Sequence, residues 1–290
     1  MMIDYYTRFR DFFQVRSITV DHNEFCCIFD ASQYTGTPDS HPCPRAVDVP
    51  ETIRALDALY AEGREREAET FLEGKLARAR QGGDWRAELS MLSELLGQYR
   101  RSMNEEKGLA AVNEALALIR EHHMGQTVSA ATVMLNAATT LKCFHHAGES
   151  IPIFTHVARV YADHLDPSDY RFAGLYNNMA LSYDETGNLP SAERFFKLAL
   201  KVIEKTEHPG NDSAVTWCNL AEMYARRDPE DPRIDECMEK AWECLSDPKL
   251  PHDGYHAFTI SKCAPTFDYF GYFLYAKQLR ERTARIYAGS

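Results

Sequence analysis

One motif constrains this chain more than any other feature, because it recurs along the sequence at a nearly fixed interval. In the stretch LYNNMALSYDETGNLPSAERFFKLAL, the residues Tyr176, Met179, Ala180, Tyr183, Gly187, Ala192, Phe196 and Ala199 fall at offsets 0, 3, 4, 7, 11, 16, 20 and 23. The 3–4 spacing puts the large residues on one stripe of each of two helices. The alanines fall where two helices must cross closely, and Gly187 falls at a turn that needs positive φ. Sliding this template gives Trp217, Leu220, Ala221 and Tyr224, then Ile260, Cys263, Ala264, Phe267, Gly271 and Ala276. Toward the N-terminus it gives Met134, Ala137, Ala138 and Leu141, then Leu92, Leu95, Leu96 and Tyr99 with Val112 and Ala115. The weakest copy is Ala55, Leu56, Leu59, Gly63, Ala68 and Leu72. Units therefore start near 49, 89, 131, 173, 214 and 257, about 42 residues apart. A unit of this kind cannot bury its apolar face alone, so stacking of neighbours is required.

This pattern resembles the tetratricopeptide repeat at every key position of the unit from 173. The resemblance covers 49–290, and it implies an all-α, right-handed superhelix of about six helix-turn-helix units. A period near 42, against the common 34, is similar to the long-repeat subclass of kinesin light chains and of many bacterial regulators. Departures are local. Met103 and His145 stand where the turn glycine belongs, Pro265 falls inside a first helix, where a kink is expected, and DPEDP (228–232) lengthens one turn. The last helix, 272–285, carries a charged outer face that suits a terminal cap. Residues 1–48 do not fit the template and form an N-terminal extension or cap, with a boundary near Val49-Pro50. QVRSITVDHNEFCCIFDA is β-branched and aromatic, and SQYTGTPDSHPCPR reads as a loop. The aromatic start (Tyr5, Tyr6, Phe9, Phe12, Phe13) suits a helix covering the first repeat.

In such a fold the first helix of each unit lines the concave wall. Position 6 of the units reads Arg54, Glu94, Asn136, Asn178, Asn219 and Lys262. Asparagine in a helix interior costs roughly 0.5 kcal/mol against alanine, so three in register need a reason. Each amide can pair with both the N–H and the C=O of an extended chain. The resemblance to kinesin-light-chain-like repeats implies that such a row holds a peptide backbone. The other reading is that the amides bond a neighbouring helix and hold the stack. Leu181 and Glu222 occupy the inward position 9, and Lys142 and Arg226 occupy positions 12 and 13. Lys142, Arg226 and Lys262 suit either pairing with an acidic ligand residue or a solvated face. The groove is mixed in charge and does not resemble the concentrated cationic clamp of chaperone adaptors.

Other chemistry is thin. A formal net charge of −11 argues against a general nucleic-acid partner. No run of 18 apolar residues suggests a membrane span, and the N-terminus does not read as a secretory signal. His122-His123 and Cys143 with His145-His146 lack the two ligand pairs of a structural zinc site. The same holds for His22, Cys26, Cys27, His41 and Cys43, so no metal and no cofactor is expected. The eight cysteines read as reduced thiols of a cytoplasmic protein. Phosphate-loop, G-x-S-x-G and H-E-x-x-H motifs are missing, which argues against an enzyme. The expected function is a scaffold that holds a protein or peptide partner in its groove. Two alternatives stay open: a peptide-sensing regulatory domain that changes curvature, or a homo-oligomer joined through Tyr269, Phe270, Tyr272, Phe273 and Tyr275.

Overall fold

A computed structural model describes residues 30–289 apart from 39, 41 and 208. The expectations of β-branched structure, of an aromatic helix before residue 30 and of a cluster at His22, Cys26, Cys27 and His41 lie outside the described residues. Among the described residues twelve α-helices follow one another and there is no strand. They are α1 Val49–Ala61, α2 Glu65–Gln81, α3 Trp85–Arg101, α4 Glu105–Glu121, α5 Val128–Cys143 and α6 Ala147–His164. After them come α7 Arg171–Glu185, α8 Leu189–Ile203, α9 Gly210–Arg227, α10 Arg233–Leu245, α11 Gly254–Tyr269 and α12 Phe273–Gly289.

Local chemistry sets the helix starts. The side chains of Asp48, Asp84, Asn104, Thr127, Asn188 and Asp253 accept from the backbone N–H three residues on, and Pro50 and Pro190 occupy the first turns of α1 and α8. Five of the six first helices end on a left-handed residue, the exception being α9, which ends on extended Asp228. Gly63, Gly187 and Gly271 fill that place at φ 69°, 79° and 83°, and Met103 and His145 adopt it at 52° and 66°. The turn therefore keeps its geometry where glycine is replaced, at a local strain cost. Helices α6 and α11 run through Pro152 and Pro265, each of which removes one intrahelical N–H.

Packing is pairwise and sequential. Each odd-numbered helix packs on the even-numbered helix that follows it, and α2, α4, α6 and α8 also pack on the next odd one. Odd helices also pack on one another, α3 on α5, α5 on α7, α7 on α9 and α9 on α11. Mutual contact along the odd series places those helices on the inner side of the curve. The alanines of the template (Ala137, Ala138, Ala180, Ala192, Ala199, Ala221 and Ala264) are all buried at these crossings. Phe154, Tyr161, Phe196 and Phe267 are the largest fully buried side chains. The outcome is an all-α solenoid of stacked helix pairs.

Residues 30–48 run along the edge formed by the loops between units. Tyr34, in a 3-10 turn (Ala31–Tyr34), is buried against α4 and α6. It approaches so closely that a Cβ on Gly125 would meet Tyr34 Cβ at 2.4 Å, so only glycine fits there. Further on, the backbone N–H groups of Ala46 and Val47 donate to Asp84 Oδ2 at 2.8 and 3.2 Å. The other oxygen of Asp84 caps α3 at Ala87 N. These contacts hold the Asp84 carboxyl below the usual carboxylate range against its own burial. On α12 the exposed surface is charged but also bears Phe273, Leu274 and Tyr287.

Candidate functional site

The concave wall is built from α3, α5, α7, α9 and α11. Its polar side chains divide into those that hold neighbouring units together and those that do not. Asn136 on α5 donates its side-chain N–H to Ser93 Oγ on α3 at 2.9 Å. Asn219 on α9 donates to Asn177 Oδ1 on α7 at 3.2 Å. The partners, Ser93 and Asn177, stand at position 5 of the preceding unit, so the rule is one position across one unit. For Asn178 that rule lands on Leu135, which offers no acceptor, and its amide turns back to Gly174 O of its own helix at 2.9 Å. All three asparagines are part-buried. Among the described residues, none of their side-chain oxygens accepts a hydrogen bond.

The charged candidates differ from one another. Arg226 on α9 is half-exposed, and its guanidinium pairs with Asp184 on α7, whose side chain is almost fully buried. Glu222, one turn before Arg226, accepts from Thr266 Oγ1 on α11 at 2.8 Å. Burial pushes the Glu222 carboxyl up, and Arg226 pulls it partly back. Lys262 is exposed, with its ammonium 5.3 Å from the centre of the Phe258 ring. Leu181 is part-buried and packs against the C-terminal core. Lys142 is part-buried and forms no ion pair among the described residues, and burial pushes its ammonium below the ordinary lysine range although Glu185 pulls the other way. The structure thus makes two polar links between inner helices, Arg226 to Asp184 between α9 and α7 and Thr266 to Glu222 between α11 and α9. Lys142 takes part in neither link.

Arg100 is the inner-wall residue absent from the sequence-derived set. It is position 12 of its unit, the register that also gives Lys142, so carrying that register one unit back lands on it. Its Nη1 donates to Asn136 O at 3.1 Å and to Thr140 Oγ1 at 2.8 Å. Asp184 holds the same position two units further on.

Three of the paired histidines meet other side chains of the chain. His122 stacks on Trp85 with ring centres 4.0 Å apart, His145 Nδ1 lies 3.1 Å from Glu185 Oε1, and His146 Nδ1 lies 2.8 Å from Glu149 Oε1. Among the described residues, no three His, Cys, Asp or Glu side chains cluster as a metal site would require. Cys43, Cys143, Cys218, Cys237, Cys244 and Cys263 are free thiols. Burial pushes the Cys237 thiol up to about 12, far from a reactive thiolate. No helix among the described residues is long and apolar enough to cross a membrane.

With this geometry in place, comparison with solved structures is informative about the fold. BtubC (BKLC) from P. vanneervenii superposes with a TM-score of 0.53 at 15% identity, over 78% of this chain and 91% of that one. A putative kinesin light chain with nearly identical TPR-like repeats from Podosopora anserina gives 0.50 at 16% identity, over 69% and 95%. A single-residue variant of that same protein gives 0.51 at 16% identity over the same shares. The fold is therefore that of tetratricopeptide-like repeat solenoids. No protein-family model matches the sequence, and no curated protein matches it.

Proposed function

We propose that this chain is a non-enzymatic scaffold that holds an extended segment of a protein partner in the concave groove lined by α3, α5, α7, α9 and α11. The observation that carries this reading is the amide row. Asn136, Asn178 and Asn219 each give one N–H to the fold and keep a second N–H and the carbonyl oxygen for something else. An amide with one free donor and one free acceptor pairs with both polar groups of an extended backbone residue. Three in register, about 42 residues apart, would grip a backbone whatever its side chains are. The period itself supports placing the chain with the long-repeat subclass. The mixed charge of the wall, with Arg226 already paired to Asp184 and Glu222 accepting from Thr266, gives a nucleic-acid backbone little to bind. The free thiols support a reducing, cytoplasmic setting.

The test is binding by the triple variant Asn136→Ala, Asn178→Ala, Asn219→Ala, measured against the partner or peptide captured by the unaltered chain and corrected for the folded fraction. Loss of binding in molecules that remain folded supports the groove reading. Full binding in those molecules ends it and leaves the amides as structural ties.

A further inference from the structure

The segment before α1, the end of α2 and the start of α3 enclose an open cleft of about 880 Å3. Three arginines from three elements line it: Arg45 of the segment, Arg78 of α2 and Arg86 of α3. Close backbone packing brings them there. A Cβ added at Gly82 would run into Ala46 Cβ and lie 3.4 Å from Arg78 O. Asp84, two residues before Arg86, takes the N–H of Ala46 at 2.8 Å. All three arginines therefore stand around the one turn between α2 and α3.

Two acids share the cleft, and both are spent on other groups. Asp84 Oδ2 accepts from Ala46 N and Val47 N, and its Oδ1 accepts from Ala87 N at 3.1 Å and from the Cys43 thiol at 3.6 Å. Asp48 Oδ1 accepts from Glu51 N at 2.9 Å. Among the described residues the side chains of Arg45 and Arg78 have no hydrogen-bond or ion-pair partner. The Arg86 guanidinium lies 4.9 Å from the centre of the Trp85 ring. Elsewhere Arg64, Arg80, Arg171 and Arg233 each find a carboxylate, as a net charge of −11 makes easy. The remaining wall is apolar at Pro42, Pro44 and Pro50, with hydroxyls at Ser40 and Ser90.

A cleft of this volume suits a molecule of nucleotide size. The planar guanidinium fork matches phosphoryl oxygens. We infer that the cleft binds a small phosphomonoester with an apolar body, of the size of a nucleoside monophosphate. Its phosphoryl group meets Arg45 and Arg78, and its body rests on the proline wall. Bound there, it ties the N-terminal segment to α2. None of the asparagines of the inner wall takes part, so this site stands independently of the groove reading.

Adenosine monophosphate is the probe, titrated by calorimetry into the full chain at low salt. Binding should saturate, and raised salt should weaken it. Adenosine, without the phosphoryl group, should bind about tenfold more weakly. Arg45→Gln and Arg78→Gln should each weaken binding about tenfold. Both side chains are exposed and bond nothing in the fold, so the variants keep their helices. Lys201→Gln, at an exposed cation of α8, should change nothing. Bound nucleotide should also slow alkylation of Cys43 by iodoacetamide, with the half-buried Cys143 as control. The inference is overturned if binding does not saturate, or if citrate binds more tightly than adenosine monophosphate. It is equally overturned if the double variant Arg45→Gln, Arg78→Gln binds like the unaltered chain, or if Lys201→Gln costs as much as either. Alkylation of Cys43 at the same rate with and without the nucleotide would place the binding elsewhere and end it too.

Discussion

Asn136 and Ser93, 43 residues apart in sequence, are joined across neighbouring inner helices by an amide N–H that donates to the serine hydroxyl at 2.9 Å. Asn219 and Asn177 repeat the relation 42 residues apart, whereas Asn178 bonds only within its own helix. The three asparagines are therefore unequal in stability although equivalent in register. Asn136→Ala and Asn219→Ala should each cost about 1 kcal/mol, the usual net value of such a bond. Asn178→Ala should be neutral or stabilising by up to about 0.5 kcal/mol, because alanine is the better helix former. Urea midpoints of the three single variants decide this. If Asn178→Ala costs as much as the other two, the one-unit rule is not what holds these amides.

That inequality shows what a sequence does and does not disclose. The helices were legible because burial dictates residue size at each crossing. Ala180, Phe196 and Tyr224 could be placed by spacing alone, and all three are buried. The wall positions were legible for the same reason, since they are what the packing register leaves over. The partner of each amide was not legible, because it depends on a residue one position off in another unit: Ser93 and Asn177 accept, while Leu135 cannot. Pairing of Arg226 with Asp184 likewise depends on how far two helices slide past one another. The double duty of Asp84, capping α3 and holding Ala46 and Val47, leaves no periodic trace, because residues 30–48 have no repeat to be read against.

Met103 and His145 occupy the left-handed turn position that glycine takes at 63, 187 and 271. A side chain there costs roughly 1–2 kcal/mol. Met103→Gly and His145→Gly should each raise stability by about 1 kcal/mol, less what glycine adds to the entropy of the unfolded chain. The two sites are one unit apart and share no partner, so the gains should add. Gly187→Ala should lose a comparable amount. Thermal melts of the two single variants and their combination check the sign, and a loss at both positions would mean that the side chains contribute more than the strain removes. His145 has the smaller expected gain, because its ring also meets Glu185.

His256 is completely buried, with Nδ1 against Asn211 Oδ1 at 2.7 Å and Nε2 without a partner. Burial, and then the charge of Arg282, lower its pKa from the ordinary 6.5. The sign follows directly. Above about pH 6.5 the ring is neutral in both folded and unfolded chains, and its contribution is complete. As pH falls below that value the unfolded chain takes up a proton that the folded chain resists, so stability drops until the folded pKa is passed. The C-terminal helices α9 to α12 should therefore loosen first as pH falls below about 6.5. Glu94 and Glu222, both pushed up by burial, act in the opposite sense at acidic pH. The histidine limb is thus read as the difference between the unaltered chain and His256→Gln, by hydrogen exchange in α11 across that range. An identical pH profile in the two proteins would remove His256 as the cause.

Arg226 answers the almost fully buried carboxylate of Asp184 and also acts on the carboxyl of Glu222. Arg226→Ala leaves both acids without a cation and should cost about 1–3 kcal/mol at pH 7, the penalty for stranding a buried charged partner. Glu222 adds a pH dependence with a definite sign. Its carboxyl is raised in the folded chain, so folding takes up protons, and stability falls as pH climbs from the unfolded value of 4.5 through the folded one. Removing Arg226 takes away one of the two influences that pull this value down, the other being the hydrogen bond from Thr266. The cost of Arg226→Ala should therefore be smaller at about pH 5 than at about pH 7.5, where the Glu222 carboxyl must ionise in a part-buried wall. Paired urea titrations at the two pH values test this, and a carbon-13 titration of the Glu222 carboxyl should show its midpoint moving up in the variant. A cost independent of pH, with an unmoved Glu222, would mean that Arg226 acts through packing of its stem and not through its charge.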